Sequence, residues 1–226
     1  MTMILHIGNK NYSSWSLRPW LVLRWAGLPF EEHLIPLGGE GYGQARIPAI
    51  RAASPSGRVP ALQIGATTVW DSLAISEWAA EQRPGLWPED ATTRAVCRSA
   101  VAEMHSGFTA LRRDLSMNIR RRVTLPAIAA DTAADLDRLF DLWGALRARH
   151  HEDGPWLFGR RTIADAFYAP VATRLRTYRV SAPADAEAWC ATLLADADFR
   201  AWEADAIAEP MFIEQTEALY RTAVRP

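Results

Sequence analysis

The chain has 226 residues, of which 49% are hydrophobic and 23% charged, and its formal net charge is −1. This is the composition of an ordinary globular protein of one or two domains, and it argues against intrinsic disorder. No apolar run approaches the ~18 residues of a membrane-spanning helix, and the first residues lack the pattern of a secretory signal. Neither half of the chain is basic, so we expect no nucleic-acid partner. The lack of a spanning segment predicts no membrane association. The cysteine content favours a cytoplasmic location.

Cysteine and histidine usage bears on redox chemistry and metals. Cys97 and Cys190 form neither a disulfide framework nor a zinc pattern, so we expect free thiols in a reducing compartment. The histidine pair His150 and His151 is adjacent in sequence and lacks the i, i+4 spacing of a zinc-binding helix. We therefore expect no metal site.

Strands and helices alternate in the first third of the chain. Apolar runs predict strands at 4–7, 33–36, 61–64 and 67–70, the last two joined as a hairpin by Gly65 and Ala66. Apolar residues at helical spacing predict helices at 16–25 and 72–81. The order βαβ and then ββα predicts an α/β domain with a mixed four-stranded sheet covered by helices.

Helical periodicity dominates the remainder. The segment 83–88 (RPGLWP) is a cluster of helix breakers and indicates a linker. Helices are predicted after it at 91–117, 130–150, 163–178, 186–195 and 199–208. We therefore divide the chain into an α/β domain at 1–83, a linker at 84–90 and an all-helical domain at 91–226.

Four motifs occur in a characteristic order. They are 11–20 (NYSSWSLRPW), 54–62 (SPSGRVPAL), 70–75 (WDSLAI) and 159–165 (GRRTIAD). Together they resemble the soluble glutathione transferases, and the first is similar to the zeta-type pattern Ser-Ser-x-Ser-x-Arg. The resemblance covers nearly the whole chain. It implies a thioredoxin-like domain followed by a helical domain, glutathione as co-substrate and a homodimer.

The first motif carries the chemistry. The resemblance implies that Ser13 or Ser14 hydrogen-bonds the sulfur of glutathione, and we favour Ser13. A thiol of pKa ~8.5 is mostly protonated at neutral pH, so a hydroxyl donor and the amides of a helix start would stabilise the reactive thiolate. The alternative is that the serines only cap a helix. The turn has no cysteine, which disfavours disulfide exchange. Arg18 matches the arginine of the pattern and is a candidate glutathione-binding residue, with a structural ion pair as its alternative role.

The other motifs imply contacts to the tripeptide. By resemblance, Pro60 is cis and exposes the backbone of Val59 to the cysteinyl residue of glutathione, while Asp71 and Ser72 hold its γ-glutamyl end. His105 falls where zeta-type proteins have a glutathione-contacting glutamine. The ligand of the glycine carboxylate stays open among Gln44, Arg46 and Arg51.

The second substrate is expected between the domains. Met104, Phe108 and Leu111 lie within two helical turns and are the candidate walls of the electrophile site, with a core stripe as the alternative. The run 120–122 (RRR) is a candidate attractor of an anionic substrate, with a solvated helix end as the alternative. The motif at 159–165 has capping-box spacing, so we assign Asp165 a structural role.

The function implied is attack of a serine-activated glutathione thiolate on an electrophilic carbon of a small apolar or anionic substrate. Glutathione-dependent cis-trans isomerisation is a variant of this chemistry. The alternative is a non-catalytic binding or interaction protein of the same fold.

Overall fold

The computed structural model describes residues 2–218. Its strands are β1 (Met3–Ile7), β2 (Glu31–Leu34), β3 (Ala61–Ile64) and β4 (Thr67–Trp70). They form a sheet of order β2-β1-β3-β4, in which β2 runs parallel to β1 while β3 and β4 are antiparallel to their neighbours. The predicted mixed sheet is confirmed.

Helices α1 (Ser14–Trp25), α2 (Pro48–Ala53) and α3 (Ser72–Gln82) belong to the same part of the chain. Leu5 and Ile7 project from one face of β1, because side chains alternate along a strand. Both are fully buried in one core with Leu17 and Leu21 of α1. This packing fixes the start of α1 at the end of β1, where the serine motif lies.

The rest of the described chain is helical. Its helices are α4 (Ala91–Ser106), α5 (Thr109–Asp114), α6 (Ala130–His150), α7 (Ile163–Tyr178), α8 (Ala184–Ala195), α9 (Ala197–Ala208) and α10 (Glu214–Ala218). Helix α7 is almost entirely buried and contacts α1, α4 and α8. It therefore joins the helical part to the sheet part. The end of the predicted helical domain, 219–226, lies outside the described residues.

The start of α7 confirms the predicted capping box. Asp165 Oδ2 accepts hydrogen bonds from the backbone amide of Thr162 at 2.8 Å and from its hydroxyl at 3.0 Å. Asp165 Oδ1 accepts from Leu157 N and Trp189 Nε1. Burial raises the pKa of Asp165, although these hydrogen bonds oppose the effect.

The prediction of one helix over 91–117 is wrong. Helix α4 ends at Ser106, because Phe108 has a left-handed backbone with φ 54° that a continuous helix cannot contain. The guanidinium of Arg112 donates hydrogen bonds to the carbonyls of Met104 and His105, which are exposed by this break. The break separates α4 from α5.

Smaller differences concern boundaries and short elements. Strand β2 lies at 31–34 rather than 33–36, because it is the edge strand, where charged residues such as Glu31 and Glu32 are tolerated. Helix α1 begins two residues earlier than predicted, as do α8 and α9. Helices α2 and α10 were not predicted, since five or six residues carry too little periodicity to be recognised.

Both cysteines are free thiols, as expected. Burial raises the pKa of each to about 12, so neither is a reactive thiolate. No helix within residues 2–218 is long and apolar enough to cross a membrane. In the same range, no three or more His, Cys, Asp or Glu side chains are grouped as metal ligands.

Candidate functional site

A cavity of about 760 Å³ opens beside the turn between β1 and α1. Four segments line it: the serine turn, the glycine-rich loop after β2, the residues before β3 and the start of α3. Six of the predicted site residues meet in its wall: Ser13, Ser14, Val59, Pro60, Asp71 and Ser72. The cavity thus unites three motifs that are separated in sequence.

The two serines have different surroundings. Ser13 is the N-cap of α1: its hydroxyl accepts a hydrogen bond from Ser16 N at 3.3 Å and donates one to Ser16 Oγ at 2.8 Å. Ser16 Oγ in turn accepts from Gly8 N at 3.1 Å. Ser14 is the first residue of α1, and its hydroxyl has no hydrogen-bond partner in the described part of the chain. Ser14 therefore offers the cavity an uncommitted donor next to a helix start, and Ser13 does not.

Tyr12 also lines the cavity, and sequence reasoning missed it. Its hydroxyl donates to Glu217 Oε1 at 2.6 Å and accepts from Arg120 Nη2 at 3.1 Å. Burial raises the pKa of the Tyr12 phenol, and the hydrogen bond to Glu217 adds to this effect. The phenol is thus neutral with its proton committed. No local sequence signal links it to Glu217, which lies 205 positions away.

The peptide bond between Val59 and Pro60 is cis, as the resemblance implies. Pro60 is buried at the entrance to β3, and both residues line the cavity. Val59 and the cis bond that follows it therefore lie at the cavity wall.

The start of α3 has the features of a carboxylate site. Asp71 is the N-cap with a positive φ of 80°, and its Oδ1 accepts hydrogen bonds from Leu73 N at 2.7 Å and Ala74 N at 3.4 Å. Ser72 is 1% exposed and its hydroxyl has no partner within residues 2–218. Because a buried hydroxyl without a partner is unfavourable, an incoming carboxylate that accepts from Ser72 would relieve this cost.

His105 reaches the site from the helical part of the chain. Its Nε2 lies 3.4 Å from Asp71 Oδ2, and its ring meets Trp15 edge-on with 5.4 Å between centroids. Burial lowers the pKa of the imidazole. Asp71 opposes this shift, whereas the nearby Arg18 and Arg112 reinforce it. His105 is absent from the cavity wall and contacts two residues of that wall, Asp71 and Trp15.

Arg18 lies behind the cavity wall rather than in it. Its guanidinium is buried and stacks on the rings of Trp15 at 4.4 Å and Phe167 at 5.0 Å. Burial lowers its pKa, and the neighbouring Arg112 and Arg174 reinforce the shift. No carboxylate among residues 2–218 pairs with Arg18. Among the described residues, Arg18 therefore does not form the structural ion pair that was its alternative role.

The three residues predicted to form the walls of the electrophile site lie outside this cavity. Met104 and Leu111 are fully buried and Phe108 is 6% exposed, and all three belong to the hydrophobic core. They do not line the cavity. Its apolar surface comes from other side chains: Trp15, Leu37, Tyr42, Ile47, Ile50 and Trp70.

The basic candidates are also separated from the cavity. Gln44, Arg46 and Arg51 line a different depression of about 450 Å³ beside Ser54. Arg58 is the one basic side chain in the wall of the main cavity among the described residues. The run 120–122 does not form a free cationic surface, since its guanidiniums donate to Tyr12, Glu217 and backbone carbonyls.

Comparison with known proteins decides the family. The family model for the glutathione S-transferase N-terminal domain matches residues 12–82. The maleylpyruvate isomerase of Ralstonia sp is 30% identical over 181 residues, which are 76% of this chain and 84% of that protein. The chain belongs to the glutathione S-transferase family.

Solved structures of other glutathione S-transferases agree with this assignment. A zeta class maleylpyruvate isomerase has a TM-score of 0.68 and 27% identity, covering 93% of this chain and 99% of that chain. The theta class enzyme of Xanthomonas axonopodis pv. citri, solved with glutathione bound, has a TM-score of 0.63 and 27% identity, covering 88% and 95%.

These comparisons confirm three predictions for this glutathione S-transferase. The fold is a thioredoxin-like domain with a helical C-terminal part, the family resemblance is zeta-like, and the protein is an enzyme of glutathione transfer or glutathione-dependent isomerisation.

Proposed function

We propose that Ser14 stabilises the thiolate of glutathione for attack on an electrophilic carbon of a small substrate. The free Ser14 hydroxyl at the cavity wall is the observation that carries this role, since the Ser13 hydroxyl is engaged in the cap of α1. Our sequence-based preference for Ser13 is therefore replaced by Ser14 in the proposal.

The energetics of this arrangement are sufficient. Lowering a thiol pKa by about two units requires about 2.7 kcal/mol of preference for the thiolate. A hydrogen bond to a charged group supplies about 1.5–3 kcal/mol, and a helix N-terminus adds roughly 0.3–1 kcal/mol. Ser14 provides both contributions, because it carries the hydroxyl and is also the first residue of α1.

The remaining contacts orient the tripeptide. The unpartnered Ser72 hydroxyl would hold the γ-glutamyl carboxylate at the start of α3, and Asp71 Oδ2 would receive the ammonium beside His105. The backbone of Val59 would pair with the cysteinyl residue. In this arrangement the cysteinyl sulfur would lie near the serine turn, because the turn lines the same cavity.

We assign the glycine carboxylate to Arg58. A carboxylate is held well by a guanidinium, which presents paired donors. Arg58 is exposed and lines the cavity, whereas Gln44, Arg46 and Arg51 border the separate depression.

The electrophile would then occupy the apolar part of the cavity near Trp15, Leu37 and Tyr42. With Arg58 engaged by glutathione, the described wall has no further basic side chain, which favours an uncharged apolar substrate over an anionic one. Cis-trans isomerisation is a second candidate reaction, supported by the similarity to the Ralstonia sp maleylpyruvate isomerase. Both reactions begin with the same thiolate attack. We further infer a cytoplasmic homodimer, as the family resemblance implies.

The first test is glutathione binding, measured by calorimetry and by thermal unfolding. Glutathione at 100 times its Kd should raise the free energy of unfolding by about 2.7 kcal/mol. Turnover with a set of apolar aryl and alkyl electrophiles and with a maleyl substrate then separates transfer from isomerisation. Absence of both a thermal shift and binding heat at millimolar glutathione would overturn the proposal, and binding without any turnover would favour the non-catalytic alternative. Sedimentation analysis checks the homodimer.

A further inference from the structure

A segment near the C-terminus contacts the serine turn from the far end of the chain. We propose that residues 209–217, here called the strap, hold the serine turn in its active geometry, and that Glu217 is the positioning residue acting through Tyr12. This inference rests on the proposed function, because it concerns how Ser14 is aimed at the sulfur.

The carboxylate of Glu217 is buried and fully engaged. Its Oε1 accepts hydrogen bonds from Tyr12 OH at 2.6 Å and Asn118 Nδ2 at 2.9 Å. Its Oε2 accepts from Arg121 through Nε at 2.9 Å and Nη2 at 2.5 Å. Burial alone would raise the pKa of Glu217, but the hydrogen bonds outweigh burial and leave the pKa below its usual value. Glu217 is thus an ionised anchor for the phenol of Tyr12.

Glu209 holds the backbone just before the serine turn. Its Oε1 accepts from Lys10 N at 2.6 Å and its Oε2 accepts from Asn11 N at 3.3 Å. The carbonyl of Lys10 accepts from Trp202 Nε1 at 3.0 Å. The connection between β1 and α1 is therefore held by side chains almost 200 positions later in the chain.

Arg120 joins the strap to the same turn. Its Nη1 donates to the carbonyl of Glu209 at 2.5 Å, and its Nη2 donates to Tyr12 OH at 3.1 Å and to the carbonyl of Met211 at 2.9 Å. The backbone amide of Arg120 donates to Asn11 Oδ1 at 3.0 Å. A single guanidinium therefore bridges the strap and the phenol.

The strap also contacts Asn9, which is hydrogen-bonded to Leu37 in another segment of the cavity wall. Asn9 Nδ2 contacts Met211 Sδ at 3.5 Å, and Asn9 Oδ1 accepts from Leu37 N at 2.7 Å. Asn9 O accepts from the amides of Tyr12 and Ser13. The strap thus borders both the serine turn and the loop that begins the apolar wall.

These contacts matter for chemistry because Tyr12 and Ser14 are two positions apart on one tight turn. Ser14 N donates to the carbonyl of Tyr12 at 3.0 Å, so a displacement of Tyr12 is transmitted to Ser14 directly. A misplacement of about 1 Å at a reacting group can reduce the rate by about 100-fold. Loss of the Glu217 anchor should therefore impair the thiolate more than it impairs glutathione binding.

The test compares Glu217→Ala, Glu217→Gln and Tyr12→Phe in the full chain with glutathione as the probe. The readouts are the pKa of the bound glutathione thiol from ultraviolet absorbance, kcat, and Kd from calorimetry. We expect Glu217→Ala to raise the thiol pKa by about one unit, which lowers the thiolate population and kcat near pH 7 up to about tenfold. The Kd should change less than about threefold, because most of the binding contacts lie at α3 and β3.

Glu217→Gln and one control variant distinguish an effect on positioning from an effect on folding. Glu217→Gln keeps an acceptor for Tyr12 and should restore most of the wild-type thiol pKa. Glu203→Ala is the matched control: Glu203 pairs with Arg176 between α9 and α7, and its loss should lower stability without moving the thiol pKa. In a double-mutant cycle, Glu217→Ala with Tyr12→Phe should shift the pKa no more than either change alone.

Folded Glu217→Ala with wild-type thiol pKa and kcat would overturn the inference. If Glu217→Ala does not fold, Tyr12→Phe decides, since it removes only the hydroxyl: an unchanged thiol pKa in that variant overturns the role of the strap. A shift of equal size in the thiol pKa of Glu203→Ala would also overturn the inference, because the effect would then come from general destabilisation. If the wild-type protein does not bind glutathione, the proposed function fails and the role of the strap fails with it.

Discussion

Asp71 and His105 connect the two parts of the molecule at the edge of the cavity. One oxygen of Asp71 caps α3 through Leu73 N at 2.7 Å, and the other lies 3.4 Å from Nε2 of His105 in α4. The carboxylate is thus shared between a helix start and a titratable ring. In the binding mode that we propose, the net charge that the glutathione ammonium meets at Asp71 would depend on the protonation state of His105.

This relationship predicts a pH dependence of glutathione affinity. The pKa of His105 is lowered chiefly by burial, so the ring is neutral at pH 7 and becomes charged only below its usual value of 6.5. Protonated His105 would neutralise Asp71 and repel the ammonium. We expect Kd from calorimetry to rise as the pH falls through the region below 6.5, and His105→Gln to flatten this rise.

The same group affects folding in a defined direction. The unfolded chain binds a proton at His105 at higher pH than the folded chain does, so the free energy of unfolding should fall as pH drops below 6.5 and level off below the folded-state pKa. The pKa of His6 is also lowered by burial, so it contributes the same trend. Of these two histidines, only His105 should affect the pH dependence of Kd when it is replaced by Gln. An equal effect of His6→Gln on Kd would contradict the role of His105 beside Asp71.

Substitutions of Ser13 and Ser14 should have different effects. Ser14→Ala removes the free donor and should raise the pKa of the bound glutathione thiol by about one to two units, corresponding to a loss of about 1.5–3 kcal/mol. Ser13→Ala removes the N-cap of α1 and should cost roughly 1 kcal/mol of stability with little effect on the thiol pKa. Ultraviolet titration with glutathione bound and urea unfolding measure the two effects. The assignment would be reversed if Ser13→Ala alone moved the titration.

Asp71 should contribute binding rather than chemistry. Its carboxylate would contact the ammonium equally in the ground and transition states, so Asp71→Ala should raise Kd and KM for glutathione with a smaller change in kcat. The loss expected for a charged hydrogen bond is about 1.5–3 kcal/mol, or roughly 10- to 100-fold in Kd.

Asp71→Asn is the matched variant for this prediction. Asparagine caps helices as well as aspartate does, so it keeps the start of α3 while removing the charge. Weakened binding in Asp71→Asn with normal stability would confirm the electrostatic role. A collapsed kcat with unchanged KM in either variant would show that Asp71 acts on the chemistry instead.

Arg58 and Arg51 provide a paired test of the glycine subsite. Arg58→Ala should raise Kd for glutathione by up to roughly fivefold, about 0.2–1 kcal/mol, because an exposed guanidinium–carboxylate pair is partly screened by solvent. Arg51→Ala should leave Kd near the wild-type value, since Arg51 borders the separate depression. Calorimetry with glutathione and with its analogue lacking glycine checks this: the analogue should bind wild type and Arg58→Ala alike. The reverse ranking of the two variants would place the carboxylate in the other depression.

Sequence patterns alone were sufficient for most of the architecture and for six residues that the structure brings together in the cavity wall. Strand alternation, helical spacing and the breakers at 83–88 predicted the mixed sheet and the helical remainder. The motifs around Ser14, Pro60 and Asp71 are local, and each forms its turn or cap from neighbouring residues. Such features can be recognised from the sequence because their hydrogen bonds join residues only a few positions apart.

Tertiary structure decided which of these groups is available to a ligand. Ser13 and Ser14 are equivalent in the motif, and only the bonds to Ser16 and Gly8 show which hydroxyl is committed. Met104 and Leu111 have the spacing of a cleft wall, yet the break at Gly107 and Phe108 and the packing of α7 place them in the core. Apolar spacing identifies the buried face of a helix, and it does not show whether a ligand or another helix covers that face.

The contact between Tyr12 and Glu217 is the clearest case of tertiary control. The two residues are 205 positions apart, and neither belongs to a pattern that indicates the other. Local propensity acts over one or two turns of chain, so it determines where β1 ends and α1 begins. Only the packing of the whole helical part against the sheet brings the side-chain carboxylate of Glu217 to the turn that carries Ser14.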